Sequence, residues 1–257
     1  MLKLDKVCVE RGPIFTLDEV SLTLNSKQTL MVVGESGAGK STLIAAILGL
    51  IKLSSGTISW NNAPVKICRP TLVMQEPRAA FNPVYNLRQS VMEPIIARKM
   101  KVAPDRIQKL CDGLELPQAL LDRKPYEVSI GQAQRVGILR ALIASPSLVL
   151  FDEPLSALDA ITQKHTARLI SDLQDEEGFA ALVVTHDLGY AAAHGDAIAV
   201  LKNGQVEECA DAGQFIESPK TNYGKELRDA AFALGALGAL GTLSAPESEN
   251  VCVTGSK

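Results

Sequence analysis

The chain has 257 residues, enough for a sizeable core and for one domain with a subdomain. Its 46% apolar and 21% charged residues are ordinary for a globular protein, and a net charge of −3 gives no electrostatic reason to expect nucleic acid as a partner. No apolar run reaches the roughly 20 residues of a membrane-spanning helix, and the alternating start Leu2-Lys3-Leu4-Asp5-Lys6 is unlike the apolar block of a secretory signal.

Residues 3–9 alternate between apolar and polar, Arg11-Gly12-Pro13 interrupts them, and 20–24 alternate again before Asn25-Ser26. This reads as a pair of antiparallel strands. An apolar strand at 30–33 then runs into Gly34-Glu35-Ser36-Gly37-Ala38-Gly39-Lys40-Ser41-Thr42, and helix formers follow at 43–50. The full G-x-x-x-x-G-K-[ST] pattern thus stands between a strand and a helix. Its glycines let backbone N–H groups curl around phosphate oxygens, and the helix points its positive end at them. Lys40 adds a point charge, and the Ser41 hydroxyl is a ligand for Mg²⁺.

Residues 57–60 form a short strand closed by Asn61-Asn62, and 71–74 another that ends at Gln75-Glu76-Pro77. The pattern then turns helical. Helices are expected over 87–98, where Pro94 is expected to kink or split the element, and over 104–114. A loop over 125–131 leads to a helix over 132–144, stopped by Ser145-Pro146. Apolar runs at 148–151 and 181–184 suit parallel strands buried on both faces, with a helix over 160–173 between them. A hairpin over 197–208 turns at Asn203-Gly204. Residues 230–243 are apolar and glycine-interrupted, and the polar run 244–257 is expected to be disordered. The five cysteines include no C-x-x-C pair, so an iron–sulfur or zinc role has no pattern to rest on.

Chemistry gathers where strands end. Asp152 and Glu153 close the strand at 148–151, where open α/β sheets place their ligands. Asp152 suits Mg²⁺, and Glu153 suits a role in orienting or deprotonating an attacking water. Gln75 ends another strand and can report on the same ion or water. His186, at the end of the strand over 181–184, can hydrogen-bond a γ-phosphate. His165 and His194 read as structural.

Together these residues resemble the ATP-binding subunit of an ABC transporter over almost the whole chain. Residues 34–42 resemble its Walker A loop, Gln75 its Q-loop, 148–153 its Walker B strand, Ser156-Ala157-Leu158-Asp159 its D-loop and His186 its switch histidine. Tyr126-Glu127-Val128-Ser129-Ile130-Gly131-Gln132-Ala133-Gln134-Arg135 resembles the signature region. Val33 to Gly37, Gln75-Glu76-Pro77 followed by Phe81-Asn82-Pro83, and Ser218-Pro219 followed by Tyr223 resemble the peptide/nickel importer branch.

The resemblance implies an α/β fold: a P-loop NTPase core with a mostly parallel sheet, an antiparallel β edge and an inserted helical subdomain at about 86–145. These lie within a domain of residues 1–229, followed by a segment 230–257. It implies ATP and Mg²⁺ as cofactors, with Ser41, Gln75 and Asp152 toward the metal and Glu153, His186 and Gln75 as the catalytic set. Two such domains pair head to tail, so Ser129, Gly131, Gln132 and Asp159 face nucleotide across the pair. The second ATPase subunit is identical or a paralogue. Two permease subunits and, indirectly, a substrate-binding protein complete the assembly, held peripherally at the cytoplasmic face of a bacterial inner membrane. The alternative is an ABC-type ATPase of a soluble enzyme complex, such as a phosphonate-degrading one.

Two departures carry expectations of their own. The aromatic that stacks on adenine is missing; Arg11 falls near its place, with Phe15 as the other candidate. The signature has Ile130 where glycine is usual. A β-branched residue there is expected either at ordinary extended angles or straining the loop, and the latter would weaken the partner's site.

Overall fold

In the computed structural model, which describes residues 1–11 and 14–233, the chain divides into two compact units. One holds the described residues of 1–69 and 180–233, the other residues 70–179. Of Arg11, Ile14 and Phe15 the backbone alone is described.

The alternation near the N-terminus builds β1 (Leu2–Arg11) and β2 (Ile14–Leu24), paired antiparallel. Leu2, Leu4, Val7 and Val9 of one strand and Leu17, Val20, Leu22 and Leu24 of the other are buried, as one apolar face requires. The run at 30–33 becomes β3 (Thr29–Val33), buried at every position. It is followed by α1 (Lys40–Ile47), which begins at the lysine itself, ahead of the helix-former run. Then β4 (Ser55–Trp60) and the two-residue β5 (Ala63–Pro64) complete an antiparallel sheet in the order β2-β1-β4-β5.

The second unit opens with β6 (Thr71–Val73). Its α2 (Leu87–Arg98) starts on a capping box, in which Asn86 accepts the Gln89 N–H and Gln89 accepts that of Asn86. Pro94 lies inside α2 without splitting it, because the capped first turn and packing on α4 (Ile130–Leu142) hold the helix together. Between the two lies α3 (Arg106–Gly113), tied down where the Arg106 guanidinium meets the Glu177 carboxylate in two hydrogen bonds of 2.5 and 2.6 Å. Next come β7 (Leu148–Asp152), parallel to β6, and α5 (Ala160–Glu177). The latter outlasts the expected 160–173 and stops at Gly178, whose φ of 70° ends the helix.

The first unit resumes with β8 (Ala180–Thr185), α6 (Leu188–His194), β9 (Ala197–Lys202) and β10 (Gln205–Asp211). Strands β8 and β9 flank β3 on either side, both parallel to it. The β9–β10 hairpin turns at Asn203 and Gly204 with φ of 49° and 79°, the positive pair that a type I′ turn needs.

Two helices close the described chain, α7 (Ala212–Glu217) and α8 (Asn222–Ala233). The turn between them is organised by Glu208, which is 4% exposed. Its carboxylate accepts the Lys220 N–H at 2.7 Å and both the N–H and the hydroxyl of Thr221 at 2.9 Å. A buried carboxylate is tolerated when its lone pairs are taken up in this way. Among the described residues no helix is long and apolar enough to cross a membrane. Residues 234–257, which hold most of the apolar segment and all of the polar tail singled out in the sequence, lie outside the described residues.

Candidate active site

The register of β3 decides what stands at its end. Val33 pairs with Thr185 of β8, so Gly34 and His186 leave the sheet side by side. A Cβ on Gly34 would lie 2.1 Å from the Leu201 carbonyl oxygen, so no larger residue fits where the loop leaves the strand. Gly39, with φ of 106°, would bring a Cβ to 2.7 Å from the Thr16 carbonyl. The β9–β10 turn braces the loop: the Gly204 N–H donates to the Ala38 carbonyl, and the Gly204 carbonyl accepts from Asp18, both at 2.9 Å.

Helix α1 starts on Gly39 with no side-chain cap, as α3 does on Asp105, whereas α2, α4, α5, α6 and α7 start on Asn86, Ser129, Asp159, Asp187 and Asp211, each accepting a first-turn N–H. An uncapped start leaves orphan N–H groups and the positive end of the helix dipole directed at the loop, which suits phosphate. Lys40 is 8% exposed. Its ammonium donates to the carbonyls of Gly34 at 2.7 Å and Glu35 at 2.9 Å. An ammonium has three donors, so these two contacts fix how Nζ is aimed. Ser41 is exposed in the first turn and Thr42 is buried beside it. Glu35, Ser36 and Gly37 form the exposed rim of the loop, and Ala38 is buried. This donor set fits the phosphates of a nucleotide, and Ser41 is a hard oxygen ligand of the kind Mg²⁺ takes.

His186 is exposed, on a turn fixed at both ends. The Thr185 hydroxyl accepts the Asp187 N–H at 3.0 Å, and Asp187 caps α6. A pocket of about 140 Å³ is lined by Val33, Gly34, Glu35, His186, Leu188 and Leu227.

In the second unit, Leu72 pairs with Leu150 and Val73 with Phe151, so Gln75, Asp152 and Glu153 emerge at one end of the parallel β6–β7 pair. The Gln75 amide donates to the Glu153 carboxylate over a long 3.4 Å. Glu153 has φ of 44°, an unfavourable backbone conformation for a non-glycine residue, held by the Ser156 N–H and hydroxyl on its carbonyl at 3.2 and 3.0 Å. Asp159 caps α5, accepting the Thr162 N–H at 3.1 Å and its hydroxyl at 2.7 Å. Those bonds hold its carboxyl below the usual carboxylate range.

The signature segment departs from expectation. Residues 130 and 131 belong to α4 instead of the loop, because Ser129 caps the helix and forms a capping box with Gln132, at 3.0 and 3.1 Å. Ile130 is therefore the first helical residue. It is neither in the extended region nor among the residues with positive φ, so the expected choice between extended angles and a strained loop is wrong on both counts. Gly131 has a packing reason to be glycine: its Cβ would lie 2.9 Å from the Thr162 methyl of α5. The side chains of Arg11 and Phe15 lie outside the described residues.

A family model described as ABC transporter matches residues 17–156, more than half of the chain. The chain belongs to the ABC transporter family. It is 33% identical over 228 residues to the oligopeptide transport ATP-binding protein OppF of Escherichia coli strain K12, covering 83% of this chain and 68% of that one. It is 35% identical over 227 residues to the nickel import ATP-binding protein NikE of Shigella dysenteriae, covering 83% and 84%. Among solved structures it is similar to a dimeric post-hydrolysis state of the ATP-binding cassette MJ0796 bound to ADP and Pi, with a TM-score of 0.72, 29% identity and coverage of 82% and 99%. The α/β fold expected from the sequence is that of an ABC ATPase cassette, and the chain is an ATP-binding ATPase of that kind.

Sequence reasoning missed two supports of the site. Gly204 was legible only as a hairpin turn, yet it holds Ala38. Leu227 carried no signal at all, since nothing in its neighbours says that α8 returns to the phosphate loop.

Proposed function

We propose that this chain is the ATP-hydrolysing subunit of an importer for peptides, nickel or a metal–chelator complex. It works head to tail with a second such subunit, identical or paralogous, on two permease subunits at the cytoplasmic face of a membrane. The observation that carries the reading is the uncapped α1 behind a glycine loop whose buried lysine is aimed by two loop carbonyls. The cargo class rests on the relatives named for oligopeptide transport and nickel import.

In this reading the loop N–H groups and Lys40 bind the phosphates. Ser41, Asp152 and Gln75 would hold Mg²⁺, which supplies charge neutralisation of the β- and γ-phosphates when bound. Glu153 accepts the proton of the attacking water, and His186 donates to the γ-phosphate. Ser129 and the N–H of Gly131 at the start of α4 serve the nucleotide of the partner subunit, with Gln132 and Asp159 beside them. Residues 1–229 form the ATPase domain, with the helical subdomain at about 86–145.

The segment 76–87 receives the permease. Support comes from an apolar groove of about 660 Å³ lined by Tyr85, Arg88, Met92 and Ile96 among others, next to Val84, which is 72% exposed. Isolated, the chain is expected to hydrolyse ATP slowly, rising severalfold when it is purified with its membrane partners, because each site needs a signature from another chain. Phosphate release that is linear in protein and indifferent to partners would contradict this. Co-purification with soluble enzymes alone would favour the soluble-complex alternative.

A further inference from the structure

The turn that follows Gln75 is fastened to α4 at two places. The Ala80 N–H donates to the Pro77 carbonyl at 3.3 Å and the Phe81 N–H to the Arg78 carbonyl at 3.2 Å, so residues 77–81 wind into consecutive turns. Phe81 is 5% exposed. The Arg140 guanidinium, from the last turn of α4, lies 4.9 Å from the centre of the Phe81 ring and donates to the Ala80 carbonyl. These contacts anchor one end of the turn. At its other end the Arg78 guanidinium donates to the Val128 carbonyl.

Val128 directly precedes the cap of α4, and the peptide it shares with Ser129 is held on both sides. The carbonyl of that peptide takes the Arg78 bond, and its N–H donates to the Gln132 side chain at 3.0 Å. A peptide is planar, so fixing both its polar groups sets the direction in which Ser129 enters the helix. The helix ladder starts one residue later, where the Ser129 carbonyl accepts the Ala133 N–H at 2.9 Å, so the Arg78 bond steers α4 from outside it. Arg78 is exposed, and surface side chains contribute little to stability; what the bond sets is the direction of its acceptor. Three residues earlier, the Gln75 amide reaches the Glu153 carboxylate at 3.4 Å. One short stretch therefore touches both a carboxylate of this chain's own site and the peptide that starts the signature.

We infer that Arg78 is a positioning residue for the signature: through the Val128–Ser129 peptide it aims Ser129 and the start of α4 at the nucleotide held by the partner subunit. Arg78 stands in the gap between Pro77 and Phe81, to which the motifs give no task. The inference rests on the reading of residues 129–131 as the part of this chain that completes a partner's ATP site.

The test is Arg78→Ala in the full chain, with Arg78→Lys beside it. In the complex with its partners, ATP turnover of Arg78→Ala is expected to fall about two- to tenfold, the scale of one lost hydrogen bond. Arg78→Lys keeps a charged donor of similar reach, and because the bond is single and not a fork it is expected to restore most of the rate. ATP affinity of the purified chain alone, by calorimetry with Mg²⁺, is expected to stay within about twofold of the wild type, since its own phosphate loop is untouched. Arg78 lies in the segment proposed to receive the permease, so the permease content of the purified complex is measured alongside and is expected to stay unchanged. Unchanged turnover would overturn the inference, as would a loss that lysine does not restore. So would a loss accompanied by weaker ATP binding to the chain alone, the mark of general damage to the fold, or by loss of permease subunits, the mark of a docking residue. Ser129→Ala separates the two levels. If that variant also turns over ATP as the wild type does, the signature reading has failed; if it loses turnover while Arg78→Ala does not, only the role of Arg78 has.

Discussion

Glu153→Gln is expected to lower ATP turnover of the assembled complex by roughly two to four orders of magnitude, the usual contribution of a positioned general base, with nucleotide binding retained. The amide keeps the size of the side chain and can still hold a water, but it cannot take up that water's proton. The geometry favours a specific task for this residue. Its φ of 44° costs on the order of 1–3 kcal/mol for a side chain with a Cβ, and the backbone is held there by two bonds from Ser156. The Gln75 amide donates to the carboxylate over a long 3.4 Å, close enough to steer it. With hydrolysis blocked, the complex is expected to accumulate in its ATP-bound form, visible as retained ATP after gel filtration. Phosphate release close to the wild-type rate in the folded variant would remove Glu153 from the catalytic role.

The elements that the sequence announces most clearly are those whose signal is local. Residues 30–33 and 148–151 are uninterrupted apolar runs and became strands buried along their length. The helix expected over 87–98 formed with those bounds, on a capping box of Asn86 and Gln89. Asn203-Gly204 turned where its positive φ angles are cheapest. What escaped was set by contacts between distant residues or by competing local signals. Gly131 looks like a loop breaker in sequence, but it stands in a helix because α5 brings the Thr162 methyl against it, and Ser129 caps the turn before it. Ile130 drew an expectation of either extended angles or a strained loop from its β-branched side chain; as the first residue of a capped helix it has neither. Asp159 was legible as a motif residue, and its bonds to Thr162 add a task as helix cap that the motif does not state. Tyr223 was visible only as a mark of one family branch, because what surrounds it, the Lys202 ammonium over its ring and the Glu208 carboxylate that seats its helix, comes from other elements.

Lys40→Ala bears on the claim that everything else depends on, that residues 34–42 bind the phosphates of ATP. Lys40 is 8% exposed and its ammonium donates to two carbonyls at 2.7 and 2.9 Å. A charged hydrogen-bond partner contributes about 1.5–3 kcal/mol, which is about a ten- to hundredfold change in affinity. Alanine also leaves the Gly34 and Glu35 carbonyls without the lysine, so the loop loses order along with charge. Thr42 and α1 beyond it remain, and the fold is expected to survive, as a thermal melt would verify before binding is measured. The decisive measurement is calorimetric titration of the purified chain and of this variant with ATP in the presence of Mg²⁺. The account predicts one nucleotide per wild-type chain and an affinity at least about tenfold weaker in the variant; equal affinity in a folded Lys40→Ala chain would contradict it.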